Sequence, residues 1–269
     1  MMPQGEATEE ILRHVMEHPE HGVALTGPLQ GVYCFTWGQH NWITYKWDSS
    51  GVTVLRVHTE QEPVPKRRDQ PMLAGVVLAA GTRTIHGVPS VLAEFKGEPA
   101  VVAVLRQLRE AGVARAVVVT GYRADLVEEA IRDCVGNWLQ QDRGWLVLVR
   151  NKRFSAGLRS SLSAALPLTP QSADGVVMAF GDQPQVGAEV MRSLVSCFRS
   201  GRRIVAPVFR GQRGHPLVFG KEFAPYSVSD RKRGPAALLR RFPQLVEDLE
   251  VPSDGVLHTI GKGGKGRIQ

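Results

Sequence analysis

The stretch Leu78-Ala79-Ala80-Gly81-Thr82-Arg83-Thr84-Ile85-His86-Gly87 follows a short apolar run and leaves its backbone open to a ligand. Ala79, Ala80 and Gly81 have almost no side chain, and Gly81 and Gly87 permit tight turning. Successive N–H groups in such a loop can hold phosphate oxygens. The spacing matches neither the dinucleotide fingerprint G-x-G-x-x-G nor the phosphate loop G-x-x-x-x-G-K-[ST]. Taken alone, it reads equally well as a strand-to-helix turn. Asp182 follows a second apolar run, Gly175–Phe180, where a carboxylate reads as a ligand or, with Gln183-Pro184 behind it, as a turn. Ser160 and Ser161 can cap the helix that follows them or present hydroxyls to a ligand. His215, before Pro216, reads as a turn histidine or as part of a site.

These residues need a frame, and the pattern around them supplies one. Leu73–Leu78 suits a strand buried on both faces. Ala100–Gly112 has helical periodicity through Val101, Val104, Leu105 and Leu108, with Gly112 closing it. Ala116–Thr120 reads as a strand and Asp125–Arg132 as a helix. Strands at Leu146–Val149, Gly175–Phe180 and Ile204–Pro207 continue the series, with helices at Ser160–Leu166 and Gly187–Ser200. Alternation of this kind predicts a mostly parallel sheet with right-handed crossovers, whose ligands bind beyond the carboxyl ends of its strands.

The first sixty residues differ in texture. A helix is expected from a cap near Thr8 to just before Pro19. Three β-like runs follow at Gly31–Trp37, Asn41–Trp47 and Gly51–His58, with a turn over Asp48-Ser49-Ser50-Gly51. Tyr33, Phe35 and Trp37 share one face, as do Ile43, Tyr45 and Trp47, which predicts a small aromatic core or a face that docks on the larger domain, with ligand stacking as the alternative. The expected division is a small α+β domain over residues 1–61, a linker over 62–72, a large α/β domain over 73–260 and a flexible basic tail over 261–269.

The loop and the residues after the strands together resemble the MobA/MocA-type nucleotidyltransferases. LAAGTRTIHGVPS lies without a gap over the family signature LAAGxSxRMGxxK. VVVTGY at Val117–Tyr122, NKRFSAGLRSSLSAAL at Asn151–Leu166 and FGDQP at Phe180–Pro184 follow in order. RGHPLVF at Arg213–Phe219 and GPAALLRRFP at Gly234–Pro243 complete the series. The GDQP, SSL and GHP elements are those of the molybdenum cofactor cytidylyltransferase branch. The resemblance implies a Rossmann-like three-layer fold and transfer of a cytidylyl group from CTP to a molybdopterin-type acceptor. Leu78, Ala79, Ala80, Gly81 and Gly87 would surround the nucleotide phosphates, and Gly157, Ser160 and Ser161 would lie near the cytosine and ribose. Asp182 would hold Mg²⁺, and His215 would shape the acceptor side. A molybdoenzyme or its chaperone is the implied protein partner.

Four signature positions differ. Serine, arginine, methionine and lysine are replaced by Arg83, Ile85, His86 and Ser90. In the closing segment, which the family writes GVLxDIDTPED, Thr259 and Gly261 replace two aspartates. Arg83 and Lys96 are cations that could serve the phosphates from new positions. The alternative to an enzyme is a degenerate module that binds nucleotide or molybdenum cofactor without transfer.

Composition bounds these readings. The chain has 269 residues, 43% hydrophobic and 22% charged, and a formal charge of +7. The basic balance favours anionic partners. Its clusters, Lys66-Arg67-Arg68, Arg202-Arg203, Arg231-Lys232-Arg233 and Arg240-Arg241, are short and without interleaved aromatics, so no nucleic-acid partner is expected. No apolar run approaches the roughly 18 residues of a membrane span, and Glu6, Glu9, Glu10, Arg13 and Glu17 oppose a secretory leader. A cytoplasmic protein is expected, with buried, reduced thiols at Cys34, Cys134 and Cys197.

Overall fold

A computed structural model describes residues 4–24, 32–37, 41–48, 50–58, 70–141, 144–201, 203–228 and 236–261. Most of the expected linker, the basic clusters at 66–68 and 231–233, Arg202 and the tail after Gly261 lie outside the described residues. The chain divides into two compact units, Met1–Asp69 and Gln70–Gln269.

The first unit contains helix α1 (Gln4–Glu17) and an antiparallel sheet of β1 (Val23–Ala24), β2 (Val32–Trp37), β3 (Asn41–Asp48) and β4 (Gly51–His58), in that order. Because α1 begins at Gln4, Thr8 lies inside the helix rather than at its cap. Helix and sheet meet through Val15, Ile43 and Tyr45, all fully buried, with Ile11, Leu12, Tyr33 and Phe35 around them. The register pairs Tyr33 with Tyr45 and Phe35 with Ile43, so the period-two pattern places these aromatics on one face.

The second unit is a Rossmann-like α/β sandwich. Its parallel strands are β5 (Leu73–Ala79), β10 (Arg115–Thr120), β11 (Leu146–Arg150) and β12 (Gly175–Phe180). Two small hairpins fall between β5 and β10: β6 (Thr84–Ile85) with β7 (Val88–Pro89), and β8 (Glu94–Phe95) with β9 (Glu98–Pro99). Beyond β12 come β13 (Ile204–Phe209), β14 (Gln212–Arg213), β15 (Leu217–Gly220) and β16 (Val246–Glu250). The sheet order is β11-β10-β5-β12-β15-β13-β14, with β16 also paired to β13. The sequence pattern places β13 directly after β12, but β15 inserts between them, antiparallel to both. Its four residues, Leu217–Gly220, are too short a run to carry a periodic signal.

Helices cover both faces. They are α2 (Ala100–Glu110), α3 (Ala124–Gln141), α4 (Leu158–Ala165), α5 (Ala188–Arg199), α6 (Ala224–Ser227) and α7 (Ala236–Arg241). Every residue of β5 is buried, and its side chains divide by parity. Val77 and Ala79 meet α2, α3 and α5 through Leu105, Leu108, Ile131 and Leu194. Val76 and Leu78 meet α4 and α7 through Leu162, Leu238 and Leu239. Each such large side chain contributes roughly 1.5–3 kcal/mol on burial, which makes the centre of the sheet a rigid base for the loops at its rim.

Helix α3 continues well past Arg132, the end expected from sequence. The three cysteines are free, but Cys134 on α3 is exposed rather than buried, because its position falls on the helix's outer face. None of the described helices is long and apolar enough to cross a membrane.

At the end of β10, Glu128 of α3 is almost buried and accepts hydrogen bonds from Thr120 Oγ1 (2.7 Å) and Arg150 (3.0 and 2.8 Å). Arg150 above all, with the hydroxyl's help, holds this carboxyl down at about 2 against the cost of burial. A lowered carboxyl pKa stabilises the fold above the unfolded value near 4.5, and that gain is lost as pH falls through about 2. Glu128→Gln should therefore cost about 1.5–3 kcal/mol at pH 7. Urea unfolding at pH 7 and pH 3 is the check, and the gap between variant and wild type must narrow at the lower pH.

Candidate active site

The carboxyl ends of β5 and β12 are neighbours in register, Leu78 opposite Phe180. Gly181 continues the pairing by donating its N–H to the Leu78 carbonyl at 2.9 Å. This places Asp182 beside the Ala79-Ala80-Gly81 turn. A Cβ added at Gly81 would meet no protein atom within 4 Å, so the backbone there faces open space. Ala79 and Ala80 are buried, whereas Gly81 is exposed.

Asp182 is gripped from three sides. Its Oδ2 accepts a hydrogen bond from Ser90 Oγ at 2.9 Å and an ion pair from Arg83 Nη1 at 3.3 Å. Its backbone carbonyl accepts the N–H of Ile260 at 2.8 Å. The same Arg83 donates to Thr259 Oγ1 and to the Ile260 carbonyl. One guanidinium thus ties the signature loop, the β12 carboxylate and the closing segment together. Ser90, which replaces the signature's lysine, is buried in this knot.

The other replacements are coupled as well. Ile85 stands where the signature has arginine, and Gly261 where the closing segment has aspartate. A Cβ built at Gly261 would lie 2.5 Å from Ile85 Cδ1 and 3.4 Å from Arg83 Nη2. Two positions that carry opposite charges in the signature therefore touch here as an isoleucine side chain and a bare backbone.

Gly87 sits at the tip of the β6–β7 hairpin. His86 and Gly87 both have positive φ, 48° and 81°, the backbone of a two-residue primed turn. Its carbonyl accepts Arg123 Nη1 at 3.0 Å. Lys96 occupies the tip of the β8–β9 hairpin with its ammonium over the Phe95 ring, so of the two candidate cations only Arg83 is on Asp182.

The turn after β10 links this cluster to the serine pair. A Cβ at Gly121 would come within 2.6 Å of Phe154 Cβ and 2.8 Å of Ala80 Cβ, so only glycine lets the three segments converge. Gly157 precedes α4, and a Cβ there would also meet nothing. Since α4 begins at Leu158, Ser160 and Ser161 lie in its first turn and make no cap. They are instead held by Asn151, whose Nδ2 donates to Ser160 Oγ (2.8 Å) and Ser161 Oγ (3.1 Å). Asn151 Oδ1 accepts the Arg153 N–H at 2.9 Å. Asn151 directly follows β11, and the rule of inspecting residues just past each strand would have found it.

His215 packs edge-on against Phe180, ring centroids 4.6 Å apart, and its backbone N–H donates to the Val256 carbonyl at 2.9 Å. The residue is partly exposed, but Nδ1 is buried without a hydrogen-bond partner. Burial pulls its pKa down to about 4, so the ring is neutral near pH 7. The free nitrogen can accept or donate according to tautomer.

The knot's donors are all oxygens: one carboxylate, the hydroxyls of Ser90 and Thr259, and the Ile260 carbonyl. That chemistry fits a hard divalent cation completed by phosphate oxygens. Arg83 occupies the centre of the same donor set as an internal cation, so an ion gains Asp182 Oδ2 only when the guanidinium yields it.

Residues 75–246 match the family model described as the MobA-like NTP transferase domain. Among curated proteins, the bifunctional protein GlmU of Carboxydothermus hydrogenoformans is 32% identical over 126 residues, 46% of this chain. The chain spans only about a quarter of the length of such relatives, 25% in that case. Among solved structures, Rv0371c of Mycobacterium tuberculosis in complex with manganese aligns at TM-score 0.54 and 25% identity, covering 67% of this chain and 88% of that one. A nucleotidyl transferase from Methanothermobacter aligns at TM-score 0.56 and 23% identity, covering 70% and 91%; this likeness speaks for the fold alone.

Proposed function

This chain belongs to the MobA-like NTP transferase domain family, and we propose that it transfers a cytidylyl group from CTP to a molybdopterin-type phosphate. The observation that carries this reading is the union of the open backbone at Gly81 with Asp182, at the adjoining ends of β5 and β12. In the reaction, an acceptor phosphate oxygen attacks the α-phosphorus of CTP in line. The bond from that phosphorus to the bridging oxygen breaks, and pyrophosphate leaves with the electron pair. Such chemistry needs positioning and charge neutralisation rather than a protein nucleophile.

The Ala79-Ala80-Gly81 backbone takes the phosphates with its N–H groups. Arg83 leaves Asp182 for the triphosphate, the stronger anion. Asp182, with the Ser90 and Thr259 hydroxyls, would hold a divalent ion, Mg²⁺ in this reading; manganese is named in the Rv0371c complex. When bound, that ion neutralises phosphate charge. Gly157 and the serines set by Asn151 line the base and ribose, and neutral His215 faces the acceptor.

A thermal-shift panel tests the nucleotide. CTP with Mg²⁺ at a hundred times its Kd should stabilise the fold by about 2.7 kcal/mol, roughly 5–10 °C in Tm. ATP and GTP at the same concentration should give less than half of that. Equal shifts for all three would remove CTP from the proposal.

The Arg83–Asp182 pair, which sets an internal cation on the carboxylate, also favours a second reading, a module that binds nucleotide or molybdenum cofactor without transfer. Pyrophosphate release with CTP and a molybdopterin acceptor separates the two. CTP-induced stabilisation with no pyrophosphate would establish the module.

A further inference from the structure

The first unit holds a cluster that the transfer reaction does not use. Three histidines fall within eight residues at the end of α1, and their rings converge. His14, His18 and His21 have centroids 5.0–5.3 Å apart, with His18 and His21 stacked 15° from parallel. His18 Nδ1 lies 3.5 Å and His21 Nε2 3.9 Å from Glu20 Oε1. One donor atom from each of His18, Glu20 and His21 falls within 4.8 Å of the others, and no other such group of three occurs among the described residues.

We propose that His18, Glu20 and His21 bind a divalent transition ion, Zn²⁺ foremost, with His14 as a positioning residue. Zinc bonds of about 2.0–2.2 Å place tetrahedral donors roughly 3.3–3.6 Å apart, close to the 3.5 and 3.9 Å from Glu20 Oε1 to the two histidine nitrogens. Two imidazoles and a carboxylate suit a borderline cation rather than Mg²⁺. His14 Nε2 lies 3.1 Å from His21 Nδ1, which leaves Nε2 of His21 as the nitrogen turned to Glu20. Such a hydrogen bond on the far nitrogen fixes the tautomer of a ligating histidine.

The backbone under the cluster is fixed before any ion arrives. His18 N–H binds the His14 carbonyl at 2.8 Å, and His21 N–H binds that of His18 at 3.1 Å. Pro19 between them is buried, and its carbonyl accepts the hydroxyl of fully buried Tyr45 at 2.6 Å. The site also lies just past the carboxyl end of α1, where the helix dipole favours a cation. About half of each ligand side chain is exposed, so an ion has access and water can complete its shell.

The test is a Zn²⁺ titration of the full chain against a chromophoric chelator, repeated with Co²⁺ to read the ligand-field bands. Wild type should take one ion with a Kd tighter than about 10 μM. Glu20→Gln, on an exposed side chain that no fold contact needs, should weaken it at least 10-fold, and His18→Asn with His21→Asn at least 100-fold. His14→Gln should weaken it about 10-fold while keeping the Co²⁺ bands. Asp182→Asn should change nothing, which separates this site from the transfer site. Wild type without binding in that range, or Glu20→Gln and the double variant at wild-type affinity, would overturn the proposal.

Discussion

Asp182→Ala is expected to slow the proposed cytidylyl transfer by about 10²–10³-fold while changing CTP affinity less than 10-fold. The size follows from what the carboxylate does. It is the one acid among the donors around Arg83, at the end of the strand beside the open Gly81 backbone. Loss of one preorganised group that meets charge developing in the transition state costs roughly 2.7–4 kcal/mol. Affinity suffers less because the Ala79-Ala80-Gly81 backbone remains. Pyrophosphate release under saturating CTP gives kcat, and a thermal melt of the variant without ligand shows that the fold survives. Transfer at the wild-type rate by Asp182→Ala would take the carboxylate out of the reaction.

Arg83→Met is expected to lower two quantities together, the efficiency with CTP and the metal requirement. Without the guanidinium, kcat/KM for CTP should fall about 10²-fold, because the triphosphate loses the cation best placed to meet it. The divalent ion concentration for half-maximal rate should fall too, because nothing competes for Asp182 Oδ2. Arg83→Lys should restore little, since one ammonium cannot span Asp182, Thr259 and Ile260 as the planar fork does. The measurement is a matrix of rates over CTP and metal concentration. A variant whose metal requirement rises instead would show that Arg83 supports the ion rather than competing with it.

Much of the fold was legible because its signals are local. The apolar runs at Leu73, Ala116, Leu146 and Gly175, and the helical periods between them, specify a parallel core with little reference to the rest of the chain. β15 and β16 were not legible, since a four-residue strand and the polar pattern Val-Glu-Asp-Leu-Glu carry no strand signature of their own. Both are made strands by the neighbours that need their backbone hydrogen bonds. The site divides in the same way. Gly81, Asp182 and the serine pair stand out because each adjoins a strand end. The tie from Arg83 to Thr259 and Ile260, by contrast, joins residues up to 177 positions apart. No pattern within one sequence marks a contact of that range.

The contact between Ile85 and Gly261 also constrains how this protein can change. An aspartate at Gly261 would need a Cβ 2.5 Å from the isoleucine's terminal methyl, on a backbone at φ 75° that side chains seldom accept. An arginine at Ile85 would arrive opposite a bare glycine, with Arg83 already paired to Asp182. Arg83, through Asp182, Thr259 and Ile260, makes the polar tie between loop and closing segment that an Ile85 side chain and a bare Gly261 cannot make.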